Sequence, residues 1–279
     1  MNIWMIVSVG MTILILSVIP GIYFFWPSRT DPVCRSDLGV ALMTGALIAF
    51  AVLVLQVMVD FRVDKLEKER AREADRQAVE RAHQADRQSL ELTVGLRQKL
   101  PGISLAGRDL SNFYLFAKEM PGAILNGANL TGTKLTSANL NEAFLNNAKL
   151  IGTELDGAKL NKAELKGATL NDVNLAGAEL QQAEFDNGTL INTKFERAML
   201  ANAFLNGVTT RGEETEFTHA DLSYADLRAA DLSRAYFERT TLTGVLFNCK
   251  TQWPAGFKPK KPCKQGEDTT MPELVVSSG

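Results

Sequence analysis

Leucine returns at every fifth position of GAILNGANLTGTKLTSANLNEAFLNNAKL, residues 122–150. An amphipathic helix spaces apolar residues by three and four, and a half-buried strand spaces them by two. A period of five fits neither, and it runs far beyond this stretch. Counted from Leu105, apolar residues occupy every fifth position to Leu205. After NGVTTRGEET the register resumes, shifted by two, at Phe217 and continues to Phe247. The 28 central positions hold 22 Leu, five Phe and Met120.

The flanking columns are equally restricted. Two places before each centre stand 16 Ala, five Thr, two Val and one Gly, the exceptions being Ile103, Arg108, Phe113 and Lys118 in the first four units. Two places after each centre, Gly, Asn or Asp fills 16 of 28 positions. A central Leu needs a deep core, and a small residue beside it needs a confined one. Gly and Asn suit a chain that turns with positive φ. A five-residue unit that turns a corner each time makes four sides in 20 residues. Successive coils then stack with strand-like hydrogen bonds at ~4.8 Å. Long internal periods of this kind mark a solenoid.

The columns read A(D/N)LXX, and ANLTG, ANLNE, ADLSY, ADLRA and ADLSR fit outright. In this the chain resembles the pentapeptide-repeat family, over residues 102–247. The resemblance implies an all-β solenoid, a right-handed quadrilateral β-helix, here of about seven coils. The ending TQWPAGFKP, from Thr251, is similar to a stretch that often closes such proteins.

A solenoid must cap both ends, or its core and unpaired backbone recruit other chains. Arg108, Phe113 and Lys118 are too large for a narrow interior, so the first coil should be open and covered by LELTVGLRQKL, residues 90–100. At the other end, Trp253 and Phe257 should fold back over Leu242 and Phe247. Beyond them the chain reads as a disordered tail from Lys258. The segment VTTRGEETE, residues 208–216, should protrude as a loop from a continuous rod, with His219 on the surface beside it.

The first 60 residues are of another kind. Residues 3–26 and 38–59 carry no charge, and each run is long enough to cross a hydrocarbon core of ~30 Å. A cleaved signal peptide competes for the first run, which lacks a basic n-region and exceeds the usual apolar length. The reading adopted is a two-helix transmembrane hairpin. Arg62, Lys65, Lys68, Arg70, Arg72 and Arg76 follow the second run, against Arg29 and Arg35 in the connecting loop. The positive-inside bias therefore places both termini in the cytoplasm, in a multi-pass protein of the cell membrane. Ala41, Gly45 and Ala49 form a small-residue face that lets helices approach closely.

Residues 61–100 follow as a charged helical stalk and N-terminal cap. ADRQAVE recurs there eleven residues on as ADRQSLE, a period that keeps one helix face aligned. That face carries little beyond Ala, so the stalk is either a solvated spacer or a coiled-coil dimer. A homodimer through these helices or the spans follows as one possibility. The domains are then a hairpin at 1–60, the stalk at 61–100, the β-helix at 101–249 and a latch with tail at 250–279.

Chemistry-bearing motifs are sparse. His83 and His219 lie in different segments, no nucleophile–base pair or metal spacing appears, and the glycines follow the repeat. No catalytic residue, cofactor or metal is assigned, and the chain reads as no enzyme. Of Cys34, Cys249 and Cys263, only the last two are placed to pair; they read as unpaired thiols, reduced in the cytoplasm. A net charge of −2 argues against general nucleic-acid binding.

Two binding functions remain. One is a membrane-tethered scaffold that presents a rigid β-helix to a protein partner. The other comes from the resemblance: some family members look like B-form DNA and bind type II topoisomerases, protecting cells from quinolones. That mechanism needs a strongly acidic rod. Residues 101–249 hold 18 Asp plus Glu against 13 Lys plus Arg, a net of −5, and lysines interrupt any acidic stripe. Positions 20 apart share a side, which places Ile124, Phe144 and Phe204 together at an outward column as the candidate partner-binding residues. Ile151 and Ile191 share a second side.

Overall fold

The computed structural model describes residues 32–213, 215–259 and 261–272, with side chains from Thr44 onward. The chain divides into two compact units, Met1–Ala82 and His83–Gly279. One helix, α1 (Pro32–Leu96), runs from the first into the second. The first apolar run, residues 3–26, lies outside the described residues. Residues 32–37, expected in the connecting loop, belong to α1. A proline is tolerated as the first residue of a helix, because the N–H it lacks would find no partner there.

Among the described residues, one helix is long and apolar enough to cross a membrane, from Thr44 onward. Leu47, Ile48, Val52, Leu53, Leu55 and Met58 are all exposed on it. In water such a surface would be costly; in lipid it needs no cover. Farther along, ion pairs such as Lys68 to Asp64 (2.7 Å) link successive turns.

The second unit is the solenoid. Four ladders of parallel bridges join residues 20 apart. One runs Lys99, Glu119, Asn139, Lys159, Glu179, Met199, Asp221 and Thr241. The next runs Ser104, Ile124, Phe144, Glu164, Glu184, Phe204, Asp226 and Leu246. A third contains the strands β1 (Lys149–Ile151), β2 (Thr169–Asn171), β3 (Thr189–Ile191) and β4 (Thr209–Arg211), paired in parallel register. The fourth passes from Tyr114 through Lys134, Glu154, Asn174 and Lys194 to β5 (Thr215–Glu216) and β6 (Ala235–Tyr236).

Each coil bonds to both neighbours. The N–H of Leu160 donates to Glu179 O at 2.7 Å, and that of Lys159 to Ala138 O at 2.9 Å. Backbone groups that an isolated coil would leave bare are thereby satisfied, as burial demands. The turn column has positive φ at every position from Gly102 to Gly212, including Glu142, Lys162 and Arg197. Side chains are tolerated there because the stacked coils over-determine the turn. The central Leu and Phe and the small column fill one buried core.

The interruption is smaller than expected. Lys194 bridges Glu216 and Phe204 bridges Asp226, so one coil holds 22 residues and the rod continues. Val208, Thr210 and Thr215 are buried, and β4 pairs with β3. Among the described residues, the predicted loop at 208–216 thus shrinks to the exposed residues 211–213. Thr210 takes a central position because its hydroxyl donates to Asp231 O at 2.9 Å. His219 is an exposed turn residue with φ of 58°.

Both ends are closed. At the start, Leu90 and Val94 of α1 join the core, and the Arg87 guanidinium lies 5.2 Å from the ring centroid of Phe113. Lys118 Nζ donates to Gly95 O (2.9 Å) and Arg97 O (2.8 Å), capping the end of the helix. Arg108 pairs with Asp86. The oversized residues of the first coil therefore face the covering helix.

At the far end, stacked Phe195, Phe217 and Phe237 lead to Phe257 and Trp253, whose centroids are 4.8 Å apart. The expected disordered tail from Lys258 is corrected here. Strand β8 (Thr269–Thr270) pairs antiparallel with β7 (Leu246–Phe247), and Met271 is buried. Arg228 reaches Asp268 at 2.8 Å. The reading of Cys249 and Cys263 as unpaired thiols is also corrected. The fold brings their Cα atoms to 5.2 Å and joins them in a disulfide.

Candidate interaction face

The ladder through Ile124 is the face on which the sequence-assigned residues meet. Ile124, Phe144 and Phe204 each sit one place before a buried centre; the N–H and C=O of each bond to the preceding coil, and the residues on either side bond to the next. Ile124 bridges Phe144 directly. Ile124 is half-buried and Phe144 is 38% exposed. Phe204, at 43% exposure, lies three rungs beyond Phe144, about 14 Å away at ~4.8 Å per rung. Two of the three candidates are therefore adjacent, and the third stands apart.

Glu164 and Glu184 occupy the rungs between. Glu164 accepts from Asn146 Nδ2 at 2.7 Å, and Glu184 pairs with Lys166. The adjoining corner is held by a side-chain ladder: Asn126 Oδ1 accepts the Asn146 N–H and Asn146 Oδ1 accepts the Lys166 N–H, each at 2.9 Å. One coil on, Asp186 accepts the Asn206 N–H at 3.1 Å. Partial burial raises the Asp186 carboxyl above its ordinary value, and the charges of Glu184 and Asp226 add to this against the Asn206 N–H and Lys166. Beyond Phe204, Asp226 and Asp268 flank Arg228, and their hydrogen bonds hold its guanidinium firmly protonated. The face thus runs from an apolar pair, across a carboxylate pair, to a second aromatic with an ion-paired rim.

Ile151 and Ile191 flank Asn171 on the β1–β3 side and are half-buried. Other exposed aromatics escaped the sequence reading. Tyr114 (79%) and Phe116 (62%) flank Leu115 on the first coil, and Tyr224 (63%) lies over Gly244, where any side chain would collide with its ring. The period of five does carry a clue to them, since each is an aromatic in an outward column. The late carboxylates scatter: Glu216, Asp221, Asp226 and Asp231 fall on four different ladders.

Fold and face together define a parallel β-solenoid with four sides and five residues per side. The family of pentapeptide repeat regions matches residues 138–214, and that of pentapeptide repeats in eight copies matches residues 122–150 and 213–248. The repeat region is that of a pentapeptide-repeat protein. Solved structures of the same kind are similar to it. HetL, involved in heterocyst differentiation regulation in the cyanobacterium Nostoc, is 22% identical, with 59% of this chain and 89% of that one covered and a TM-score of 0.24. A protein of the Arabidopsis thaliana thylakoid lumen is 23% identical over 46% and 70%, with a TM-score of 0.27. QnrB1, a plasmid-mediated fluoroquinolone resistance protein, is 17% identical over 54% and 84%, with a TM-score of 0.25. None of the curated proteins matches the chain.

Proposed function

We propose that this chain is a membrane-tethered, non-enzymatic scaffold whose β-helix presents the Ile124 ladder to a protein partner. The observation that carries the reading is the direct bridge between Ile124 and Phe144 on a backbone held from both sides. Such a surface offers an exposed aromatic anchor with little backbone ordering left to lose on binding. The apolar part of α1 is the tether, and the cations that follow it favour the cytoplasmic side for the repeat domain; the Cys249–Cys263 disulfide weighs against that side, since such bonds are rare in the cytosol.

The second reading is a DNA mimic that binds a type II topoisomerase. The net charge of −5 over residues 101–249 favours it. The distribution of Glu216, Asp221, Asp226 and Asp231 over four ladders weighs against it, because a mimic of one DNA groove needs its carboxylates in line.

Lysine-directed crosslinking of the tagged full-length chain in cells, followed by mass spectrometry, tests both. A protein captured through Lys166, beside Glu184, supports the scaffold reading. Capture confined to Lys159 and Lys194, on other ladders, contradicts it, and recovery of a type II topoisomerase establishes the alternative.

A further inference from the structure

We infer that the Cys249–Cys263 disulfide is a redox-sensitive clasp that locks the C-terminal cap over the open end of the β-helix. The bond closes a covalent ring with a sequence separation of 14 residues. Trp253 and Phe257, the plug whose rings pack tilted or edge-on against Phe237 and Phe247, lie inside that ring. Just beyond it, β8 covers the edge of β7, with Met271 N–H donating to Val245 O at 2.8 Å and Gly244 N–H to Met271 O at 2.9 Å. The disulfide thus ties together the aromatic plug and the strand that covers the last rung of the Ile124 ladder.

Two observations separate this bond from an inert structural disulfide. Both cysteines are exposed residues at the surface of the cap. Lys250 follows Cys249 and Lys264 follows Cys263 in the chain; a neighbouring cation favours the thiolate, the form that attacks and leaves in exchange. Exposed disulfides of this kind are the labile and regulatory ones. Beyond Cys263, the non-covalent contacts that hold the cap among the described residues are a two-residue strand, the Arg228 to Asp268 pair and the buried Thr269 and Met271.

The chemistry balances through exchange with a disulfide donor, either a small-molecule disulfide or a protein disulfide. One cysteine thiolate attacks the donor, forming a mixed disulfide and expelling one donor thiol. The second cysteine attacks that mixed disulfide, forming Cys249 Sγ–Cys263 Sγ and expelling the other donor thiol. The donor takes up the two electrons and two protons that the cysteines lose. A dithiol reductant reverses both steps. What opens is the edge of β7, an unpaired strand able to take another chain. The inference is independent of which side of the membrane holds the rod and of what binds the Ile124 ladder.

Hydrogen exchange of the full-length Cys34→Ala protein in detergent tests it, after equilibration in oxidised or in reduced glutathione. The oxidised sample should show the Cys249–Cys263 bond by non-reducing peptide mass spectrometry. Reduction should speed exchange at Gly244 and Met271, whose amides bond across the cap, by at least about tenfold, given the loop-closure constraint released, while residues 150–170 stay unchanged. The Cys249→Ser/Cys263→Ser variant should match the reduced protein in both buffers. Free thiols in the oxidised sample would overturn the inference, as would equal exchange in the two states.

Discussion

Thr153 and Thr215 occupy equivalent places, two residues before a centre on the same side of the rod, and both are fully buried. Replacing either with Val exchanges a hydroxyl for a methyl of similar size. Val173 already fills this place one coil after Thr153 and is buried, so the site accepts the shape. The partners differ. Thr153 Oγ1 donates to Leu130 O at 2.8 Å, as Thr133 does to Leu110 O and Thr193 to Leu170 O. Thr215 Oγ1, just after the two-residue insertion, has no partner among the described residues. Thr153→Val loses one hydrogen bond, but Leu130 O still accepts the Thr133 N–H at 3.1 Å, so the cost should be about 0.5–1.5 kcal/mol. Thr215→Val removes a buried hydroxyl with nothing to bond and should stabilise by about 1 kcal/mol. One chemical change therefore has opposite signs three turns of the solenoid apart. Hydrogen exchange of the adjacent coils reads each effect locally, at about tenfold per 1.4 kcal/mol. Exchange that speeds equally in both variants would refute the reasoning.

Other outcomes follow from the same coordinates. Leu160→Ala, in the middle of the core, should cost about 2–5 kcal/mol, while Lys159→Ala, one place earlier and exposed, should stay within about 0.5 kcal/mol; equal shifts in melting temperature would mean the register is wrong. Trypsin should nick at Arg211, beside Gly212, and leave two fragments that co-elute and melt together, since the bridges from Lys194 to Glu216 and from Thr209 to Asp231 span the cut. Fragments that separate would make the interruption a domain boundary. A membrane-impermeant maleimide, applied to intact cells after an impermeant reductant, should label Cys34 and spare Cys249 and Cys263; labelling of Cys249 would place the repeat domain outside.

The period of five made much of the rod readable in the sequence. Because position 20n returns to the same side, the pairing of Ile124 with Phe144, and the separation of Phe204 from both, can be counted off before any coordinates. The oversized Arg108, Phe113 and Lys118 likewise point to a covered first coil. What stayed hidden lies where the repetition stops. Residues 250–272 have no period, and their order comes from single long-range contacts, such as Arg228 with Asp268 and Cys249 with Cys263. Thr210 is polar, and its hydroxyl enters a central column because it donates to Asp231 O and accepts the Arg234 N–H. The run from residue 32 to residue 37 looks like a loop because of its charges and Pro32, yet a helix start tolerates both.

The scaffold account rests most directly on the apolar pair. Lysine-directed crosslinking in cells should be compared between the wild-type chain and the Ile124→Ser/Phe144→Ser variant, with the melting temperature of each purified protein measured alongside. Both side chains point outward from a backbone held by its own ladder, so the variant should melt at the wild-type temperature. The protein captured through Lys166 should fall by roughly tenfold or more, the scale expected when a central aromatic anchor is lost. Undiminished capture by a variant of unchanged stability would contradict the account.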